Sequence, residues 1–221
     1  MFQSMKSKRV FVLVIAISAF LTSEFLGLAQ GESLGQFEGH GDIGSPAITG
    51  SASYDPAHQT YTLTAGGINI WGTNDQCHFL WNTINGDFIL RARLKLADGG
   101  VVEHRKIGWM VRSSLAANAA FVDGVVENGV GLTSLQYRRF DVGSSAMMAL
   151  SLAKTDMVQL ERRGTNFIFS AALADGAFAH TNCSTVSLPD NVFAGLCICS
   201  HDSKIKEAVV FYDVQIIRPV Q

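Results

Sequence analysis

The amino-acid sequence predicts an all-β protein built as a two-sheet β-sandwich, or jelly roll. Many short runs alternate apolar and polar residues with the period of two that a half-buried strand requires. Turn-forming residues separate these runs at intervals of roughly ten residues, a spacing typical of sandwiches. No segment has the clear apolar periodicity of an amphipathic helix.

The clearest strand pattern runs from His104 to Arg112. Alternation gives this strand an apolar face of Ile107, Trp109 and Val111 and an opposite face of Lys106, Gly108, Met110 and Arg112. Bulky apolar groups on one side and two cations on the other predict a strand that separates a packed core from a polar groove.

The N-terminal segment has the composition of a secretory signal peptide. Lys6, Lys8 and Arg9 precede an uncharged apolar run over residues 10–21, and small residues follow at Gly27 and Ala29. The apolar run is shorter than the about 20 residues of a membrane span, which disfavours an uncleaved anchor. We predict a signal peptide over residues 1–30 and an exported domain, periplasmic or extracellular, over residues 31–221, with no membrane span after cleavage.

Turn residues divide the mature chain into strands. Turns are predicted at Asp55-Pro56, Ala65-Gly66-Gly67, Asn85-Gly86-Asp87, Asp98-Gly99-Gly100 and Asp175-Gly176. The predicted strands cover residues 50–54, 60–64, 68–71, 77–81, 88–96, 104–112, 121–126, 131–140, 157–163, 166–171, 193–200 and 208–217. We expect residues 88–96 to pair with residues 104–112. Residues 37–44 should form a turn or an edge, and residues 113–120 a loop across a sheet edge.

The charge balance and the cysteine content limit which partners and which disulfides the protein can have. The chain has 17 basic and 19 acidic residues, so no nucleic-acid or anionic-membrane surface is indicated. The cysteines, Cys77, Cys183, Cys197 and Cys199, allow up to two disulfides in an exported protein. Cys197 and Cys199 share a strand face and cannot easily bond each other, so buried free thiols are the alternative.

Ordered motifs along the mature chain resemble an exported bacterial family. They are Phe37-x-x-x-x-Asp42-Ile43-Gly44, Tyr61-Thr62-Leu63, Ile70-Trp71, His78-Phe79, Gly86-Asp87-Phe88, Lys106-x-Gly108-x-Met110-x-Arg112, Leu135-Gln136-Tyr137-Arg138, Leu160-Glu161-Arg162, Ser200-His201-Asp202 and Ala208-x-x-Phe211-x-x-Val214. This family resembles the domain called regulation-of-enolase-like, and its members are often labelled biopolymer transporters of the Tol type. The resemblance implies a concanavalin A-like sandwich over nearly all of the mature chain.

Resemblance to concanavalin A-like sandwiches implies a concave sheet that receives a saccharide or a peptide. The polar side chains that alternation could place on that face are His78, Lys106, Arg112, Gln136, Arg138 and Glu161. Polar groups of this kind bond sugar hydroxyls, and Trp71, beside a glycine, is a candidate stacking platform. Trp81 and Trp109 fall in phase with core residues instead. The alternative is that Lys106, Arg112, Arg138 and Glu161 form a structural ion-pair network.

The sequence does not favour catalysis. Retaining glucanases need two carboxylates about 5 Å apart, but Glu161 stands alone on its strand. Ser200, His201 and Asp202 do not make a triad, because adjacent strand residues face opposite ways. A metal site, with calcium as the ion, would need His40 and Asp42 to meet His201 and Asp202 at one rim. Otherwise these histidines cap backbone groups, and no cofactor is indicated.

The sequence therefore predicts an exported, non-catalytic module that binds a carbohydrate or another cell-envelope component, such as an envelope protein, on one sheet face. A structural or protein-interaction module of the envelope is the alternative from a different class. A glycoside hydrolase acting through Glu161 is the less favoured third.

Overall fold

A computed structural model of the chain describes residues 34–97, 102–128, 131–150, 152, 155–173, 176–183 and 185–219. The predicted signal peptide and the predicted turn at residues 98–100 lie outside these residues. Within the described residues, no helix has the length and hydropathy needed to cross a membrane.

The described part of the chain folds into fourteen β-strands. They are β1 Gly39–Ile43, β2 Ser51–Asp55, β3 Thr60–Ala65, β4 Cys77–Asn85, β5 Phe88–Leu96, β6 Arg105–Arg112, β7 Phe121–Asn128, β8 Leu132–Arg138, β9 Ser145–Leu150, β10 Met157–Arg163, β11 Asn166–Ala172, β12 Ala179–Cys183, β13 Asn191–Cys199 and β14 Glu207–Ile217. The predicted all-β class is confirmed.

The strands form two antiparallel seven-stranded sheets. The first sheet has the order β1-β4-β13-β6-β7-β8-β9, and the second has the order β12-β11-β10-β5-β14-β3-β2. A continuous apolar core lies between them, to which both sheets contribute. Alternation along β6 supplies Ile107, Trp109 and Val111 to this core, as predicted, and Trp109 is completely buried. We call the opposite side of the first sheet its outer face.

Two predicted elements are wrong. Residues 88–96 and 104–112 do not pair with each other, because β5 belongs to the second sheet and β6 to the first. An amphipathic strand can bury its apolar face from either sheet, so alternation does not decide its partner. Residues 68–71 are not a strand. They lie between Gly67 and Gly72, whose left-handed backbones (φ 113° and 64°) turn the chain away from a sheet.

Cys77, Cys197 and Cys199 are free thiols, and they are buried. For Cys197 and Cys199, the structure therefore has the second of the two alternatives that the sequence left open, buried free thiols. Both pack with Cys77 in a second apolar cluster on the outer face, together with Met110 and Phe121. Burial raises the pKa of Cys199 to about 12 and that of Cys197 well above its ordinary value. These thiols act as small apolar groups rather than as nucleophiles.

Gly195 marks the closest packing in the middle of the first sheet. It lies opposite Trp81 of β4 and Met110 of β6. A Cβ atom at this position would overlap the carbonyl oxygen of Leu80, which belongs to the backbone and cannot swing away. At Gly41 on the edge strand β1, a Cβ would only reach the Trp81 ring at 3.6 Å, an ordinary van der Waals contact.

We expect Gly195→Ala to lower the free energy of unfolding by about 1–3 kcal/mol, the usual cost of overpacking. The matched change Gly41→Ala should shift it by less than about 1 kcal/mol. Urea denaturation of the two variants and the wild type measures the difference. Equal stability of the two variants would contradict the close packing at Gly195.

Candidate functional site

The outer face of the first sheet is covered over part of its area by a segment that precedes β4. We call residues 66–76 the covering segment. Ile70 of this segment is completely buried and packs into the outer-face cluster with Phe79 and Val125. The main-chain amide of Asp75 donates to the carbonyl oxygen of Ala117 (2.8 Å), which joins the covering segment to the loop after β6.

Asp75 fixes the covering segment to the sheet through two arginines. Arg138 of β8 donates to Asp75 Oδ1 from Nη2 (2.6 Å) and to Oδ2 from Nη1 (3.0 Å). Arg112 of β6 approaches Asp75 Oδ2 at 3.4 Å, and all three side chains are completely buried. Burial raises the pKa of Asp75, and Arg138 and Arg112 oppose that shift. A bidentate buried pair of this kind combines charge with fixed geometry.

Both arginines also donate hydrogen bonds to backbone carbonyl oxygens of the surrounding loops. Arg112 donates to the carbonyl oxygens of Ser114 (2.7 Å) and Ala116 (2.6 Å). Arg138 donates to those of Gly72 (3.0 Å) and Ala119 (2.8 Å). The expectation that Arg112 and Arg138 lie on an open face was wrong, because loop carbonyls and Asp75 seal them from solvent. The structural ion-pair alternative fits them, with Asp75 as the counterion in place of Glu161.

Glu161 and His78 do not share the outer face either. Glu161 lies on β10 in the second sheet, where its Oε1 accepts from Arg163 Nε at 2.6 Å. His78 lies on β4, but it is in register with the core residues Ile198 and, one strand further, Ile107. Its side chain therefore leaves the sheet on the core side. Of the six polar side chains expected on one face, these two were misplaced.

His78 instead joins a chain of hydrogen bonds at the β1 edge of the first sheet. A carboxylate can only accept, so His78 Nδ1 donates to Asp42 Oδ1 at 2.7 Å. His78 Nε2 then accepts from Nδ1 of the exposed His40 at 2.9 Å. Asp42 also accepts from the main-chain amide of Gly50. This chain orients the histidines and satisfies the buried one.

The predicted metal residues belong to two different environments. His40 and Asp42 join His78, whereas His201 lies beside His104, with ring centroids 5.5 Å apart. Asp202 caps a turn, since its Oδ1 accepts from the main-chain amide of Lys204. In the described part of the chain, no group of three or more His, Cys, Asp or Glu side chains is arranged to hold a metal ion.

An open cavity remains on the outer face beside the covering segment. Its volume is about 320 Å³, and it is lined by Asn69, Trp71, His104, Lys106, Glu127, Leu132, Gln136, Met147 and His201. Three residues named from the sequence as ligand candidates therefore meet here, namely Trp71, Lys106 and Gln136. The volume is at the low end of the about 300–1,000 Å³ of small-molecule sites.

Trp71 and Lys106 form one wall of this cavity. The Trp71 side chain is 36% exposed, and Lys106 Nζ lies 5.2 Å from its ring centroid, within reach of a cation–π contact. Lys106 Nζ also donates to Asn69 Oδ1 (2.7 Å) and to the carbonyl oxygen of Ile70 (3.0 Å). The covering segment thus places the indole ring and the ammonium group side by side.

Beside Lys106 the cavity is lined by a hydrogen-bonded group around Glu127 of β7, the residue in register with Lys106. Its Oε1 accepts from Gln136 Nε2 (2.8 Å) and Ser134 Oγ (3.2 Å), and its Oε2 is 3.1 Å from His104 Nδ1. Gln136 Oε1 is buried and has no hydrogen-bond partner within the described residues. A buried amide oxygen without a partner is costly.

Two histidines at the rim have unusual backbones. His104 and His201 have φ angles of 59° and 64°, in the left-handed region that residues other than glycine rarely adopt. Each costs of order 1 kcal/mol, and strain of this kind concentrates at functional sites. Burial lowers the pKa of His201, with Lys106 and His104 acting in the same direction. Alternation alone did not identify His104 and Glu127 as part of the site.

A larger concavity of about 590 Å³ lies at the end of the sandwich. It is lined by Asn85, Gly86, Asp87, Asp190, Arg218 and Pro219. These are turn and terminal residues, and none of them is aromatic. The smaller cavity is the better candidate, because it combines an aromatic surface with convergent polar groups.

Similarity to known proteins lies in the fold. No family model matches the chain, and no curated protein matches its sequence. A functionally unknown protein from Saccharomyces cerevisiae has a similar structure, with a TM-score of 0.59 and 13% identity over 77% of this chain and 93% of that one. The carbohydrate-binding module CBM66 from Bacillus subtilis is similar with a TM-score of 0.54 and 13% identity, over 83% and 98% of the two chains.

An enzyme also shares this fold. The alginate lyase from Klebsiella pneumoniae is similar with a TM-score of 0.51 and 9% identity, over 76% of this chain and 84% of that one. Identities this low show the fold alone. They confirm the predicted two-sheet sandwich of the concanavalin A-like, jelly-roll kind.

We expect Asp75→Asn to lower the free energy of unfolding by about 3–5 kcal/mol, because it leaves two buried guanidinium groups without a counterion. Glu161→Gln is the control, since its partner Arg163 is largely exposed, and it should cost less than about 1 kcal/mol. Urea denaturation measures both. A cost below about 1 kcal/mol for Asp75→Asn would show that the covering segment does not depend on this contact.

The His78 chain predicts a pH dependence of stability. Burial lowers the pKa of His78 from its ordinary value of 6.5; Asp42 opposes the shift, and His40 and Lys206 add to it. The unfolded chain therefore binds this proton more readily, so stability should fall as the pH drops below about 6.5. Urea denaturation between about pH 7.5 and 5.5 should show this loss, and His78→Gln should make it smaller. The control His58→Gln changes an exposed histidine, and identical pH profiles for wild type and His78→Gln would refute the assignment.

Proposed function

We propose that this protein is a carbohydrate-binding module and that the cavity beside the covering segment is its binding site. The observation that carries the proposal is the pairing of a partly exposed indole, Trp71, with a ring of polar groups around one small cavity. Sugars combine apolar C–H faces with hydroxyl edges. An aromatic ring beside hydrogen-bonding side chains suits both parts of such a ligand.

The size of the cavity favours a short stretch of glycan. A volume of about 320 Å³ suits one or two sugar units rather than a long chain lying across the sheet. The covering segment closes the rest of the outer face, where Ile70, Arg112 and Arg138 are buried. Similarity in fold to a carbohydrate-binding module supports this class of ligand without naming the sugar.

A second candidate function is cleavage of a polysaccharide, and one observation favours it. His104 and Glu127 lie 3.1 Å apart in the same cavity, on a fold shared with an alginate lyase. A histidine beside a carboxylate is a common acid–base pair. We favour binding, because Glu127 already accepts hydrogen bonds from Gln136 and Ser134 and is buried. Release of new chain ends from a bound polysaccharide, abolished by His104→Ala, would establish the enzyme instead.

The sequence also suggests where the protein acts and where its glycan comes from. We propose that the chain is exported and that its glycan belongs to the cell envelope or its surroundings, as the resemblance to the regulation-of-enolase-like and Tol-type proteins implies. A structural or protein-interaction module of the envelope predicts a stable protein partner and no affinity for sugars.

We expect Trp71→Ala to weaken glycan binding about five- to tenfold, which corresponds to about 1–1.4 kcal/mol of lost stacking and burial. Isothermal titration of the mature domain, with ligands chosen on a glycan array, measures the change. The control is Phe140→Ala, which removes an exposed aromatic ring outside the cavity lining. No binding to any glycan, or equal affinity for wild type and Trp71→Ala, would overturn the assignment of this site.

A further inference from the structure

The ammonium group of Lys106 is buried without an opposite charge. Only 4% of this residue is exposed, and no carboxylate of the described residues lies within 4.0 Å of Nζ. Its partners are the neutral oxygens of Asn69 and Ile70 and the face of the Trp71 ring. Lysine is almost never buried to this extent unless it is paired, because removing its charge from water is costly.

The acidic groups nearest to Lys106 are engaged elsewhere. Glu127 faces Lys106 in register across β6 and β7, but its oxygens accept from Ser134, Gln136 and His104. Asp75 binds the two arginines. Among the described residues, neither carboxylate lies within 4.0 Å of Lys106 Nζ.

Asp123, in the middle of β7, is not within 4.0 Å of Lys106 Nζ either. It is completely buried, and neither of its carboxylate oxygens accepts a well-formed hydrogen bond within the described residues. Burial raises the pKa of Asp123 well above its ordinary value; Lys106 opposes this shift, while Asp75 and Glu127 add to it. The buried outer face carries the three cations Lys106, Arg112 and Arg138, and among the described carboxylates only Asp75 lies within 4.0 Å of any of them.

The Lys106 ammonium group lies at the wall of the cavity. An ammonium group has three N–H donors, and Asn69 and Ile70 accept two of them. The third remains for a ligand.

We propose that the cavity selects an anionic sugar, whose negative group is placed against Lys106 Nζ while its ring contacts Trp71. This inference rests on the proposed glycan-binding function and adds the chemical class of the ligand. Lysine acts as a point charge and does not require the planar, two-pronged geometry that arginine prefers. A carboxylate on a uronic acid and a sulfate ester therefore share the chemistry that this site recognises.

The test compares oligosaccharides of equal length that are neutral, carboxylated or sulfated, titrated into the mature domain at low and high salt. Wild type should bind the anionic ligands at least about tenfold more tightly than the neutral one, a difference of about 1.4 kcal/mol. Lys106→Met keeps the length of the side chain and removes the charge, so it should abolish the preference for anionic over neutral ligands. The relative affinities of the carboxylated and sulfated ligands identify the natural anion.

Asn69→Ala is the matched control, because it removes a hydrogen bond to Lys106 and leaves its charge. If Lys106→Met acted only by loosening the covering segment, Asn69→Ala would lose the anionic preference as well, which would overturn the inference. Equal binding of neutral and anionic sugars by wild type, still weakened by Trp71→Ala, would overturn the inference and leave the proposed function intact. No binding of any sugar would remove the proposed function itself.

Discussion

The contact of Asp75 with Arg112 and Arg138 determines what the outer face of the first sheet can do. The two arginines come from β6 and β8, and the carboxylate comes from the covering segment. Without the carboxylate, two guanidinium groups would be buried with no counterion, a cost of several kcal/mol. With it, the segment is held against the sheet, and Ile70 completes an apolar cluster that includes Met110 and Phe121. Part of the outer face of the first sheet is therefore packed against the covering segment and buried.

The covering segment stops short of the other part of the face, and the cavity lies there. The same segment supplies Asn69 and Trp71 to the wall of the cavity and orients Lys106 through Asn69 and Ile70. Several unfavourable features lie in this region. Lys106 has no carboxylate of the described residues within 4.0 Å, Gln136 Oε1 is unsatisfied, and the two rim histidines have left-handed backbones. Features of this kind lower stability, so their presence at an open cavity is consistent with a site that binds something.

The fold itself does not decide between binding and catalysis. Similar sandwiches include a carbohydrate-binding module and an alginate lyase, at identities of 13% and 9%. Function in such folds depends on the particular side chains of the site. Here His104 and Glu127 line the same cavity as Trp71 and Lys106, but Glu127 is buried and already accepts hydrogen bonds from Gln136 and Ser134. This arrangement is the physical basis for preferring recognition of an anionic glycan over its cleavage.

Alternation along the strands was enough to predict the fold class and the division of β6 into a core face and a polar face. It was also enough to assign Trp109 to the core and to place Lys106 and Gln136 on a polar face, where they share the cavity with Trp71. Trp71 itself was named for its position beside a glycine. These properties follow from the alternation of side chains along a strand, which can be read from neighbouring residues in the sequence. Strand pairing and the position of the covering segment depend on contacts between distant residues, so alternation could not supply them.

Three outcomes were decided only in the tertiary structure. The strands β5 and β6 joined different sheets, although each has an equally suitable apolar face. His78 fell on the core side and Glu161 on the second sheet, because the phase of one strand relative to another depends on register. Asp75, a single acidic residue in a glycine-rich segment, became the counterion of two arginines 37 and 63 positions later in the chain. The sequence by itself determined which faces are apolar and which are polar, but only the folded chain determined which polar face is sealed and which part of it stays open.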